Sequence, residues 1–218
     1  MQKRLEYALT AARWLGTREG SAEHRRILEV YNSIRPLPRG YAVKESDAWC
    51  AAFVSAAAVM AGVAHLLPLE CSCVRIVEQA MDMGIWQERD DYVPQIGELV
   101  LYNWDARGSG DDTGAPDHVG VVIGAEKGEL LVVEGNYSNA VKLRQLPVND
   151  GRIRGFVCPK FEEGTMHYHK LEEIPAFARP TIEKLTADGS LKGISDDDLG
   201  LSEELLRTLV ILDRRGML

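Results

Sequence analysis

The 218-residue sequence predicts an α+β protein, helices first and an antiparallel sheet after them. Up to about residue 84, apolar residues recur at helical spacing. Beyond it, short β-branched or aromatic segments alternate with Gly, Asp and Asn. After residue 161 the pattern turns helical again, which divides the chain into a main domain, 1–161, and a linker with a small helical module, 162–218.

Taken in order, Leu5, Ala8, Leu9 and Ala12, then Ile27, Leu28 and Tyr31, mark two short helices separated near Gly20. "SIRPLPRGY" ends the helical pattern with two prolines and a glycine. Asp47 is placed to cap a helix whose first turn holds Ala48, Trp49 and Cys50 and which runs to about Gly62. A further helix is expected from Cys71 to about Met83. The strands follow as "GELVLYNW", "HVGVVIG", "LLVVEGN", "AVKLRQL" and "IRGFVCPKF". "EEGTMHYHK" reads as a linker, and Pro175 and Gly189 bracket the first of two closing helices.

The formal net charge is −8, which argues against a nucleic-acid partner, because neutralising phosphates requires clustered Lys and Arg. Glu6 and Arg13 interrupt what would be the apolar segment of a signal peptide, so no signal peptide and no membrane insertion are expected. Four cysteines, at 50, 71, 73 and 158, are then expected as free thiols. "ECSCV" does not have zinc-hairpin spacing, and the Asp-rich "NWDARGSGDDTGAPDH" lacks EF-hand spacing and reads as an exposed loop beside the site. No metal and no cofactor are expected.

In "SDAWCAAFV", a thiol in the first turn of a helix sits beside unpaired backbone N–H groups, which favour thiolate. Burial in an alanine-rich core would account for Cys50 equally well. A nucleophile needs a base, and the candidate is His118 in "PDHVGVVIG"; His24, His65, His167 and His169 read as surface residues. A hairpin turn centred near Lys127 sets His118 opposite Asn136 and Gly120 opposite Glu134, all on one sheet face. A carboxylate at Glu134 or an amide at Asn136 could orient the imidazole. Trp49, Trp104 and Asp117 are candidates for contact with substrate.

"DAWCAAFVS", "IGELVLYNW", "PDHVGVVIG", "VVEGN" and "IRGFVCPKF", in this order over residues 4 to 161, resemble the CHAP family of cysteine- and histidine-dependent amidohydrolases and peptidases. "GAPDHVG" and "VVEGN" are most similar to phage and prophage endolysins. The resemblance implies a papain-like fold, with Cys50 as nucleophile, His118 as base, and Glu134 and Asn136 completing the site, Glu134 preferred as the orienter and Asn136 as a supporting polar group. It further implies cleavage of a peptidoglycan amide, either between muramic acid and alanine or within the peptide. Such an enzyme would stay in the cytoplasm until lysis or holin-dependent release. "IPAFARPTIEKLTADGSLKGI" is similar to part of an S-layer homology repeat, which implies wall targeting; the alternative is a helical pair that packs on the main domain or self-associates. Two rival functions remain, a wall-binding protein without activity and an interbacterial effector with the same chemistry.

Overall fold

The computed structural model describes residues 2–89, 91–104, 114–161, 167–195, 198–214 and 216. Two compact units divide the chain, Gln2–Phe161 and Glu162–Leu218. The first is α+β, with four α-helices and a six-stranded antiparallel sheet among the described residues.

Its helices are α1 (Gln2–Ala12), α2 (Ala22–Asn32), α3 (Cys50–Met60) and α4 (Cys73–Asp82). Every residue of α3 from Cys50 to Ala58 is buried, because its five alanines let α1, α2 and the sheet close in from different sides. The Tyr7 hydroxyl on α1 donates to the Val54 carbonyl at 3.0 Å, which supplies a buried phenol with a partner. Ser55 secures the next segment: its Oγ donates to the Glu70 carbonyl and accepts the Glu70 N–H, both at 2.9 Å.

That pair of bonds delays α4. The helix starts at Cys73 rather than the expected Cys71, because the Glu70 backbone is committed to Ser55 of α3 and the Cys71 N–H to the Glu70 carboxylate. The start of α3 differs too. Asp47 does not cap it; its carboxylate accepts the Lys44 N–H and the Tyr41 hydroxyl, each at 2.8 Å, and so tightens the preceding turn. Trp49 takes the cap position without a side-chain bond, and Cys50 is the first helical residue.

The sheet contains β1 (Trp86–Gln87), β2 (Leu99–Tyr102), β3 (His118–Glu126), β4 (Glu129–Glu134), β5 (Lys142–Pro147) and β6 (Ile153–Val157), in the order β1-β6-β2-β3-β4-β5. β1 is a strand the sequence reading does not anticipate. Leu99, Leu101, Val119, Val121 and Val133 face the core shared with the helices, while Val100, Val122, Leu130 and Val132 belong to a second cluster. The period of two along each strand produces this division. Lys127 and Gly128, both at positive φ, form the β3–β4 turn, and a bulge between Val122 and Gly124 shifts the register by one residue.

The second unit holds β7 (His167–Tyr168) paired with β8 (Leu201–Ser202), and α5 (Arg179–Ala187) with α6 (Glu203–Arg214). Tyr168, Ile174, Ala178, Ile182, Leu201, Leu206 and Val210 form its small core. Two expectations are corrected. The supposed linker contributes strand β7, and α5 begins at Arg179, not Pro175. Residues 175–178 instead close a turn in which the Ala178 and Arg179 N–H groups both bond the Pro175 carbonyl, and Pro180 occupies the first helical turn. Among the described residues, no helix is long and apolar enough to cross a membrane.

Candidate active site

Two glycines open the space in which the site is assembled. A Cβ on Gly135 would lie 2.5 Å from the Phe53 Cβ, so this glycine lets the end of β4 meet α3. A Cβ on Gly120 would lie 2.7 Å from Cγ of Glu134 and 2.5 Å from Cγ1 of Val132. The bare backbone at 120 is therefore what admits the Glu134 side chain to the face carrying His118.

His118 is the first residue of β3, paired with Tyr102 of β2, and its ring stacks at 5.9 Å from the Tyr102 ring. Its Nε2 lies 3.1 Å from Oε2 of Glu134, which is fully buried. The other oxygen of Glu134 accepts Nε of Arg144 at 2.6 Å. Burial opposes charge on Glu134, but its bonds to His118 and Arg144 outweigh this and hold the carboxyl below its usual range. Arg144 is packed 4.0 Å from the ring of Tyr137 and 4.5 Å from that of Trp104, which restricts the guanidinium to one direction.

Glu134 takes the Nε2 side of the ring, and His118 and Cys50 lie close enough for each to bias the other's protonation. Burial lowers the imidazole's proton affinity, yet the bonds to Cys50 and Glu134 prevail and raise its pKa to about 9. The Cys50 thiol is held well below the usual thiol range. The largest cause is a hydrogen bond from Cys73, followed, against the opposing cost of burial, by His118 and the Ala51 backbone N–H. The two sulfurs are 3.8 Å apart, and Cys73 is pushed up correspondingly, first by Cys50 and then by burial. The arrangement can hold a thiolate and an imidazolium side by side, the resting state of a cysteine nucleophile.

The sequence-derived residues divide accordingly. Cys50, His118 and Glu134 meet. Asn136 follows β4 in the left-handed conformation, with φ of 58°, and no hydrogen bond joins it to His118. Trp104 is half-buried, stacks on Tyr102 at 4.9 Å and has its ring 6.3 Å from that of His118. Asp117 is exposed beside His118 and accepts the Trp104 N–H at 3.1 Å. Trp49 is no surface for substrate: it is fully buried, with its indole N–H on Glu19 at 3.1 Å and its ring 4.6 Å from that of His24. His24 is itself corrected from surface to core, since it is fully buried and its Nδ1 accepts the Gly20 N–H.

Two members were missed. Arg144 lies opposite Val132, two positions along from Glu134 on the same face, so pairing "AVKLRQL" with "LLVVEGN" would have found it. Cys73 opens a helix just as Cys50 does. All four cysteines are free thiols. Residues 105–113 of the Asp-rich loop lie outside the described residues, and among the described residues no cluster of three or more His, Cys, Asp or Glu is arranged to hold a metal.

Fold and site together define an α+β protein built around a buried cysteine, a part-buried histidine and a buried carboxylate. The chain belongs to the DUF2272 family, described as an uncharacterized protein conserved in bacteria, whose model matches residues 7–162. No curated protein matches the chain. Among solved structures it is similar to "The crystal structure of Ly7917", at 17% identity and a TM-score of 0.29, over 40% of this chain and 37% of that one.

Proposed function

We propose that the protein is a peptidoglycan hydrolase that cuts an amide bond with Cys50 as nucleophile, on a papain-like scaffold of the CHAP type. The observation that carries this reading is the series Cys50, His118, Glu134, in which a fully buried carboxylate holds a part-buried imidazole whose protonation is coupled to the thiol. Burying a carboxylate with two cationic partners costs several kcal/mol per ion before pairing, an arrangement that core packing alone does not require.

In the proposed reaction the Cys50 thiolate attacks the amide carbonyl carbon. Charge develops on the carbonyl oxygen, for which the Cys50 backbone N–H, at the positive end of α3, is the candidate donor. His118 gives its proton to the departing amine, the C–N bond breaks, and a thioester remains on Cys50. His118, now neutral, takes a proton from water. The resulting attack releases the acid and restores the thiolate. Glu134 keeps its negative charge throughout and stabilises the imidazolium. Trp104 and Asp117 flank the base and are assigned to contact with substrate.

The bond cut is assigned to the class shared by muramoyl-alanine amidases and peptidoglycan endopeptidases. The reading includes a phage-type lysin held in the cytoplasm until lysis, with the Glu162–Leu218 unit as a wall-targeting module. Mass spectrometry of fragments released from purified peptidoglycans of several chemotypes, by the wild type and by Cys50→Ala, tests it. Cysteine-dependent fragments are expected and would name the bond. No release from any wall by folded protein would overturn the assignment.

A further inference from the structure

Hydrolysis needs one thiol, yet two meet in the site. Cys50 and Cys73 are each the first residue of a helix, both are nearly fully buried, and their sulfurs lie 3.8 Å apart. The contact follows from the docking of the α3–α4 loop, because the Ser55–Glu70 bonds fix the backbone three residues before Cys73. A disulfide requires the sulfurs to close to about 2.05 Å, a short approach for two side chains that already face each other.

We propose that Cys50 and Cys73 form a reversible oxidation pair, in which a peroxide converts the nucleophile into a Cys50–Cys73 disulfide that silences the site and spares Cys50 from irreversible oxidation. The silencing rests on the hydrolase reading; the disulfide does not. In the first step the Cys50 thiolate attacks one peroxide oxygen. An S–O bond forms, the O–O bond breaks and hydroxide leaves, giving the Cys50 sulfenic acid. In the second, the Cys73 sulfur attacks the Cys50 sulfur. The S–S bond forms, the S–O bond breaks, and the departing hydroxide takes the Cys73 proton to become water. Two thiols are oxidised and one peroxide is reduced to two waters.

The surroundings divide the roles. Cys50 faces His118 and the Ala51 N–H, both of which favour its thiolate. Cys73 faces Cys50 and the negative charge of Asp117, which keep its proton on until the sulfenic acid forms. The remaining cysteines are placed elsewhere. Cys71 lies against Tyr31 and Glu70, and Cys158 donates to the Tyr92 hydroxyl at 3.3 Å.

The test treats the reduced full-length protein with hydrogen peroxide, blocks remaining thiols with N-ethylmaleimide and cleaves after glutamate, which separates Cys50 from Cys73 at Glu70. A linked pair of peptides is expected, retained in Cys71→Ser and reversed by dithiothreitol. In Cys73→Ser, Cys50 is expected to accumulate sulfinic and sulfonic acid that dithiothreitol does not reverse. Over-oxidation of Cys50 in the wild type as fast as in Cys73→Ser, or a bridge to Cys71, would overturn the proposal. If circular dichroism shows Cys73→Ser to be unfolded, Cys73→Ala and the wild-type peptides still decide it. Because the bridge is read by mass, its absence counts against the oxidation pair, whereas failure of reduced protein to cut peptidoglycan counts against the hydrolase.

Discussion

Both units of this chain carry exposed ion pairs, but among the described residues the first also buries a carboxylate between two cationic partners. In Gln2–Phe161 a carboxylate with no exposed surface, Glu134, is held between His118 and Arg144. In Glu162–Leu218 the pairs His169–Asp198, Lys184–Asp213 and Arg207–Glu203 each keep at least one partner about half exposed. Exposed pairs contribute roughly 0 to 1 kcal/mol, whereas removing one partner of a buried pair costs about 3–5 kcal/mol. The comparison teaches where precision is concentrated: the first unit has fixed the direction of an imidazole, and the second has only decorated a small helical core.

Substitutions can break this contrast in order of effect. Cys50→Ala is expected to lower peptide release at least about 10⁴-fold with the fold intact, measured by fragment yield alongside circular dichroism. Glu134→Gln keeps the shape but removes the charge that steadies imidazolium; a loss of about 10²- to 10⁴-fold in kcat is expected. Arg144→Met leaves Glu134 with one partner. A hydrogen bond to a charged group is worth about 1.5–3 kcal/mol, so a loss of about 10- to 100-fold is expected, with a less defined His118 resonance by NMR.

Acidity sharpens the same comparison. His118 is raised from about 6.5 in an unfolded chain to about 9, so its pairing stabilises the fold fully below about 6.5 and is lost as pH rises through about 9. The rate should fall tenfold per pH unit above about 9 as the general acid loses its proton, and the melting temperature should decline over the same interval. At the other end of the scale, Lys184→Ala is expected to leave hydrolysis unchanged and to move the chemical-denaturation midpoint little, because its partner Asp213 stays partly solvated.

The α+β class, the order of helices and strands, and the meeting of Cys50, His118 and Glu134 were legible because period and turn chemistry are local properties of the chain. The register at the site was also right, but through two compensating features. A turn centred on Lys127 was expected; the turn is Lys127–Gly128, and the bulge after Val122 restores the pairing of Val121 with Val133. What was not legible depends on contacts distant in sequence. Nothing near Asp47 says that Tyr41 and Lys44 will claim its carboxylate, and nothing near His24 or Trp49 says that each will bury the other. Arg144 and Cys73 were visible as letters, but their roles required strand pairing and loop docking that span 10 and 23 residues.

The bulge in β3 has a consequence for how this site can be inherited. Carried on without it, the pairing of Gly124 with Leu131 would set Val121 against Glu134, and alternation would turn that carboxylate through the sheet to the helix side, away from His118. A codon lost at Ile123 would join Val122 to Gly124 and keep Val121 opposite Val133, so the site is inverted only where Ile123 stays and the bulge is flattened into the ladder. The inserted residue works as a phase shifter between the hairpin tip and the end of the strands where the imidazole sits.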